Sequence, residues 1–232
     1  MKLGDQINYD YLLKYVLIGD SYSGKSQLLA TYRSGPLNEY QLTIDFDFCS
    51  KNIQIGDKIF RLHIWDTTGQ ECFRSITRGY YKNSVCALLL YKISYRDSFD
   101  NLSSWIEDIK KYSPKTILIV LVGFIDNESK RAVSFEEGED FAEKNGMMFF
   151  EASEKDELGI NEIFLNSAKE ISKRINQGYY DLKNRSCEII KYNSGNKIIL
   201  KNDKKIHLFN NQGNDGVILA NKFRYLGKYM NH

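Results

Sequence analysis

Apolar and polar positions along the first 180 residues keep switching between a period of two and a period near 3.6. Residues 15–19 form a short apolar run that reads as a buried strand, and residues 25–32 read as the helix after it. Residues 46–55 and 58–65 alternate apolar and polar positions around Gly56-Asp57, a hairpin signal. Residues 85–91 and 117–123 are continuous apolar runs, as expected for central strands covered on both faces. Between them, residues 98–112 place Phe99, Leu102, Trp105, Ile106 and Ile109 at helical spacing. Ser134, with Glu137 three residues on, opens a further helix as a capping box. Residues 148–151 predict a last strand, and residues 160–175 a last helix with Ile163, Phe164, Ala168 and Ile171 on one face. Strands alternating with helices predict an α/β fold: a mostly parallel six-stranded sheet flanked by helices, with a C-terminal extension.

After Gly178 this rhythm stops. The remainder is rich in Asn, Lys and Gly, with short alternating pieces at residues 197–201 and 217–220 that predict a small hairpin or no stable structure. The domain therefore spans residues 1–180, and residues 181–232 form a tail. Charge marks the same division. From Leu182 onward ten bases face three acids, a net +7 in a chain of net +2, which leaves −5 for the first 181 residues. Hydrophobic residues make up 42% and charged residues 27%, the balance of a globular protein that buries a core. Nothing at the start reads as a signal peptide, no apolar run reaches membrane-spanning length, and the four cysteines lack disulfide or zinc spacing. These features predict an intracellular, cytoplasmic protein.

The segment Gly19-Asp20-Ser21-Tyr22-Ser23-Gly24-Lys25-Ser26 satisfies G-x-x-x-x-G-K-[ST], between a predicted strand and a predicted helix. Amides of the loop, Ser21 to Gln27, converge on phosphate there; Lys25 supplies a point charge to the β/γ oxygens, and Ser26 a hydroxyl for Mg²⁺. By itself this loop fits a GTPase, an ATPase or a kinase. Forty residues on, Trp65-Asp66-Thr67-Thr68-Gly69-Gln70-Glu71 ends a predicted strand. Its acid can hold the magnesium shell, its Gly69 amide can meet a γ-phosphate, and its Gln70 can orient water.

With these motifs the sequence resembles the Rab family of Ras-like small GTPases, over roughly residues 12–181. The stretches that carry the likeness are residues 14–26, 61–71 (RLHIWDTTGQE), 73–82 (FRSITRGYYK), 105–109, 136–142 and 166–175 (NSAKEISKRI). Trp65 before the Asp and the Tyr80-Tyr81 pair look like Rab rather than Ras, Rho or Arf, and Rabs of the early secretory pathway are most similar. The resemblance implies the P-loop small-GTPase fold, GTP/GDP and Mg²⁺ as ligands, and a switch in vesicle trafficking. It assigns Ser26 and Thr43 to Mg²⁺, Asp66 to its outer shell, Gly69 to γ-phosphate sensing, Gln70 to the hydrolytic water, and Tyr40 to closure over the phosphates. Lys25 and Gln70 are the implied catalytic groups. Phe48, Trp65 and Tyr80 match the aromatic triad read by effectors, and an exchange factor and a GTPase-activating protein are the other implied partners.

The sequence also departs from that pattern. Phe124 and Ile125 stand where Asn and Lys normally begin the guanine-reading segment, with Asp126 kept as the acid. The companion loop is Ser153-Glu154-Lys155, so Asp126, Ser153, Glu154 and Lys155 are the expected base contacts. The loop bearing Thr43 is one residue short, with Leu37 and Asp45 replacing an aromatic and a Gly. Tyr22, Thr68 and Lys92 are further substitutions. The chain ends without a prenylation-type cysteine, while its basic tail suits an anionic membrane surface; nucleic acid is not an expected partner. Two readings follow: a cycling GTPase that hydrolyses GTP slowly, or a nucleotide-locked or nucleotide-poor binding module using the same switch surface.

Overall fold

A computed structural model describes residues 9–33, 48–70, 74–153, 155, 157–182, 189–191, 198–201, 205–209 and 215–219. Thr43, Tyr40, Leu37, Asp45 and Glu154 lie outside the described residues.

The central strand β1 (Tyr11–Ile18) is buried on both sides toward its C-terminal end, where Val16, Leu17 and Ile18 have no exposed surface. It pairs in parallel with β3 (Lys58–Asp66) along Tyr11–Leu17 and with β4 (Cys86–Lys92) from Tyr15 onward. Strand β2 (Phe48–Ile55) pairs antiparallel with β3 through the predicted turn at Gly56. Strands β5 (Leu118–Ile125) and β6 (Met148–Ser153) complete the order β2-β3-β1-β4-β5-β6, in which only β2 among these six runs against its neighbour. The predicted six strands are therefore present, each within a few residues of its expected bounds.

Alternation along the strands divides the core in two. Tyr15, Leu17, Leu88, Leu90, Val120 and Val122 face helices α1 (Lys25–Arg33) and α6 (Glu157–Asn176), where they meet Leu28, Tyr32, Ile163, Phe164, Ala168 and Ile171. Val16, Ile18, Ala87, Leu89, Tyr91 and Leu121 face the other way, toward α3 (Arg96–Asp100) and α4 (Leu102–Tyr112) with Phe99, Leu102, Trp105, Ile106 and Ile109. Fully burying such side chains stabilises the fold by roughly 1.5–3 kcal/mol each. Helices α2 (Arg74–Tyr81) and α5 (Phe135–Lys144) complete the helical layers, and Ser134 caps α5 by accepting the Glu137 amide at 3.1 Å, as the capping box predicts.

The predicted single helix over residues 98–112 is jogged into α3 and α4 at Asn101, which keeps near-helical angles (φ −75°, ψ −9°). The jog lets the Asn101 side-chain amide donate to Asp20 in the preceding loop at 2.8 Å. The main sheet also draws a seventh strand from the segment read as tail. Strand β7 (Ile189–Lys191) runs antiparallel to Tyr11–Leu13, beside the part of β1 that precedes the β4 pairing. Ile189 is buried there and Leu182 packs on the same core. Three further strands, β8 (Ile198–Lys201), β9 (Lys205–Phe209) and β10 (Asp215–Leu219), make a separate antiparallel sheet, one strand more than the predicted hairpin.

Candidate nucleotide site

The C-terminal ends of parallel strands open a crevice where ligands bind in sheets of this kind. The loop between β1 and α1 lies at that edge. Its backbone turns through Tyr22 (φ 64°) and Gly24 (φ 95°), and the Leu28 amide then bonds Gly24 O at 2.8 Å to start α1. No acid occupies the first turn of α1, so nothing on that turn neutralises the positive end of the helix dipole.

Lys25 folds back over the loop. Its Nζ donates to Gly19 O at 2.9 Å and Asp20 O at 2.6 Å, with Ser23 Oγ at 3.4 Å. Burial lowers its pKa to about 8, against the opposing pull of the Asp66 and Asp20 carboxylates. Ser26 Oγ donates to Asp66 Oδ2 at 2.5 Å, which brings together the hydroxyl and the carboxylate singled out for magnesium. Hydroxyl and carboxylate oxygens are the hard donors Mg²⁺ prefers, so these residues fit the ion. Thr67 donates to Leu17 O at 2.6 Å and fixes the end of β3 against β1. Gly69 lies so close to the loop that a Cβ there would sit 2.3 Å from Asp20 C and Ser21 N. Gln70 follows on the exposed side.

The loop is also held from α4, by contacts the sequence reading did not assign. Asp20 accepts from Trp105 Nε1 at 2.7 Å as well as from Asn101. On the Trp105 ring rests the Arg74 guanidinium of α2, 4.1 Å from its centroid, with Arg74 Nη2 bonded to Ser104 at 2.8 Å. Arg78 pairs with Asp108 at 3.0 Å one turn further along. The available signal was the indole: a tryptophan on a core-facing stripe still needs an acceptor for its N–H.

At the other end of the crevice, Phe124 is buried and its ring meets Gly24, where an added Cβ would lie 2.4 Å from Cγ. Ile125 turns to the opposite core, and Ser153 is its partner on β6. Asp126 Oδ2 accepts from Ser94 Oγ at 2.6 Å and lies 3.6 Å from Lys92 Nζ. Burial works against its charge, but the Ser94 bond, the Lys92 charge and the amides of Asp126 and Asn127 outweigh that and hold the carboxyl below its ordinary range. Lys155 is exposed.

The expected effector residues do meet. Phe48 and Trp65 have ring centroids 4.9 Å apart, and Trp65 and Tyr80 5.5 Å apart. They occupy the side of the sheet margin where Trp65 is half-buried rather than core. His63 stands edge-on to Phe48, its pKa lowered to about 4 by burial and by Arg61, and so stays neutral at ordinary pH.

The family model described as the Ras family matches residues 14–173. The chain belongs to the Ras family. Within it, the chain is 46% identical over 172 residues to "Ras-related protein Rab-2B" of Dictyostelium discoideum, covering 72% of this chain and 84% of that protein. It is a Rab-like small GTPase of vesicle trafficking, which hydrolyses GTP to GDP. This kinship favours the cycling GTPase over the nucleotide-poor module. Ras-family proteins bind GTP/GDP and Mg²⁺ and work through effectors, exchange factors and GTPase-activating proteins. Among the described residues, no helix is long and apolar enough to cross a membrane.

Proposed function

We propose that the loop amides of residues 21–27, Lys25 and Gly69 hold the phosphates of GTP, and that Gln70 positions the attacking water. The observation that carries this is the buried Lys25 ammonium beside the Ser26–Asp66 pair, with Gly69 pressed on the same loop. Lys25 trades its carbonyl bonds for β/γ oxygens, where its charge grows in value as phosphate charge develops. Ser26, Asp66 and Thr43 are the groups that would hold magnesium. When bound, Mg²⁺ supplies positive charge to the β- and γ-oxygens. Thr43 and Gly69 sense the γ-phosphate, so its loss frees both switch segments. The purine belongs toward the ends of β5 and β6, where Ser153, Asp126 and Lys155 stand.

Phe48, Trp65 and Tyr80 form the effector surface of this switch, and the +7 tail brings the protein to anionic membrane surfaces inside the cell. Single-turnover hydrolysis tests the catalytic assignment. The wild-type rate should lie on the order of 10⁻⁴–10⁻² s⁻¹ without a partner. Gln70→Leu should slow it at least tenfold, and an unchanged rate would remove Gln70 from the mechanism. For the tail, co-sedimentation with phosphatidylserine vesicles should be lost on deleting residues 192–232; equal binding by both forms would remove the membrane role.

A further inference from the structure

The crevice has a direction. Asp66 and Gly69, at the end of β3, mark where the terminal phosphate belongs, because both converge on the loop from that side. With the strands in the order β3-β1-β4-β5-β6, the nucleoside must extend the opposite way, over β4 and toward β5 and β6. Selectivity between purines is a difference of affinities, and it requires polar groups there that one base satisfies and the other leaves unmatched.

Among the described residues, the side chains of β5's end and the turn after it are already committed. Phe124 is buried against Gly24, and Ile125 packs into the core beyond the sheet. Asn127 accepts the Ser129 amide at 3.1 Å and the Ser129 hydroxyl at 2.7 Å, which opens a short 3₁₀ turn. Asp126 holds the Ser94 proton and the Lys92 ammonium, both carried by the end of β4 and the turn after it. We propose that Asp126 serves as the ion-pair anchor of Lys92 and Ser94 rather than as a reader of the base, and that the site consequently accepts guanine and adenine nucleotides with little preference. The proposal rests on the nucleotide-binding reading above and concerns only its base end.

The chemical reason is the geometry of a carboxylate. To pair with the ring N–H and the exocyclic amine of guanine, it must present both oxygens along one edge. Turning Asp126 to do so would make Oδ2 share itself between the base, the 2.6 Å Ser94 hydroxyl bond and Lys92, itself only about a quarter exposed, and so weaken the two contacts it already makes. What guanine gained would be offset by what Lys92 and Ser94 lost. Ser153 can donate or accept and so suits either purine, and the exposed Lys155 ammonium is well solvated.

The test is displacement of fluorescently labelled GDP from the full chain with Mg²⁺, using unlabelled GTP and ATP. The two inhibition constants should differ by less than tenfold, and Asp126→Ala should leave their ratio unchanged within about twofold. Lys92→Ala with Ser94→Ala should release Asp126 and raise the preference for GTP at least fivefold, a gain that adding Asp126→Ala abolishes. A wild-type preference above a hundredfold that collapses in Asp126→Ala would overturn the proposal. Circular dichroism shows that each variant is folded, and Lys92→Ala alone is the milder variant, expected to move the ratio in the same direction. If neither GTP nor ATP displaces the label, the nucleotide reading itself fails and takes this proposal with it; tight binding of both nucleotides upholds both.

Discussion

In the site proposed above, the grip at the phosphate end comes mostly from backbone, the loop amides and the end of α1, joined by one side chain, Lys25, seated on two carbonyls. At the base end it comes from side chains projecting from β5 and the turn beyond it. A backbone site survives substitution as long as the chain can follow the same path, and Tyr22 takes the left-handed turn of the loop at φ 64°. A side-chain site changes with every residue, and at this end Phe124 and Ile125 pack while Asp126 pairs with Lys92. On the proposal above, one end of the pocket keeps its chemistry while the other turns structural.

The two ends meet at Gly24, and the largest effect belongs there. Gly24→Ala would put a methyl 2.4–2.9 Å from the Phe124 side chain at a φ of 95° that side chains rarely adopt. Strain and overpacking together should cost about 3–5 kcal/mol. Urea unfolding should show that loss, with GTP binding abolished. A loss under 1 kcal/mol would mean that Phe124 does not buttress the loop and that the ends are independent.

The next effect sharpens the phosphate side through pH. With the Lys25 pKa at about 8 in the free protein and raised by bound phosphate, nucleotide binding takes up a proton above pH 8. Affinity for GTP should then fall up to tenfold per pH unit, or about 2 kcal/mol between pH 8 and 9.5. Unfolding is not the cause. A lysine whose pKa is lowered by burial leaves the unfolded chain holding more protons between pH 8 and 10.5, so the nucleotide-free fold gains stability as pH rises there. Titration calorimetry at pH 7, 8, 9 and 9.5 measures this, and a flat profile would mean Lys25 is not the charge that holds phosphate.

How legible each end was follows from the same difference. The loop, its lysine and the Ser26–Asp66 pair could be placed from spacing, because a strand, a tight turn and a helix leave little freedom between Gly19 and Ser26. The strands were legible for a similar reason, since residues 85–91 and 117–123 are too apolar to lie anywhere but the centre of the sheet. Phe124 and Ile125 could be read as substitutions, but not that Phe124 would fill the space against Gly24. The turn of Asp126 toward Ser94 depends on residues 32 positions away. Strand β7 was invisible because three residues carry no period, and only the bare stretch of β1 ahead of β4 makes a place for them.

A smaller effect tests whether the phosphate loop is as independent of side chains as its backbone suggests. Trp105→Phe keeps an aromatic ring under Arg74 but removes the N–H that Asp20 accepts at 2.7 Å. Losing a hydrogen bond to a charged group, with the small cavity it leaves, should cost about 1.5–3 kcal/mol. Release of labelled GDP should quicken several-fold. Unchanged release with lowered stability would place Trp105 in the core alone.

The smallest expected effect is the most direct test of the backbone argument. Tyr22 holds a left-handed conformation with its side chain 89% exposed, so it carries strain and little compensating burial. Tyr22→Gly should relieve about 1–2 kcal/mol of that strain and give back about 0.5–1 kcal/mol through the greater freedom of glycine in the unfolded chain. The net gain is then up to about 1.5 kcal/mol, or a Tm higher by up to about 3–6 °C in a protein of this size. Affinity for GTP should stay within threefold of wild type, because the amide at position 22 points the same way whichever residue bears it. A tenfold loss of affinity at raised Tm would show that the phenol itself touches the nucleotide, and the phosphate end would then owe part of its grip to a second side chain besides Lys25.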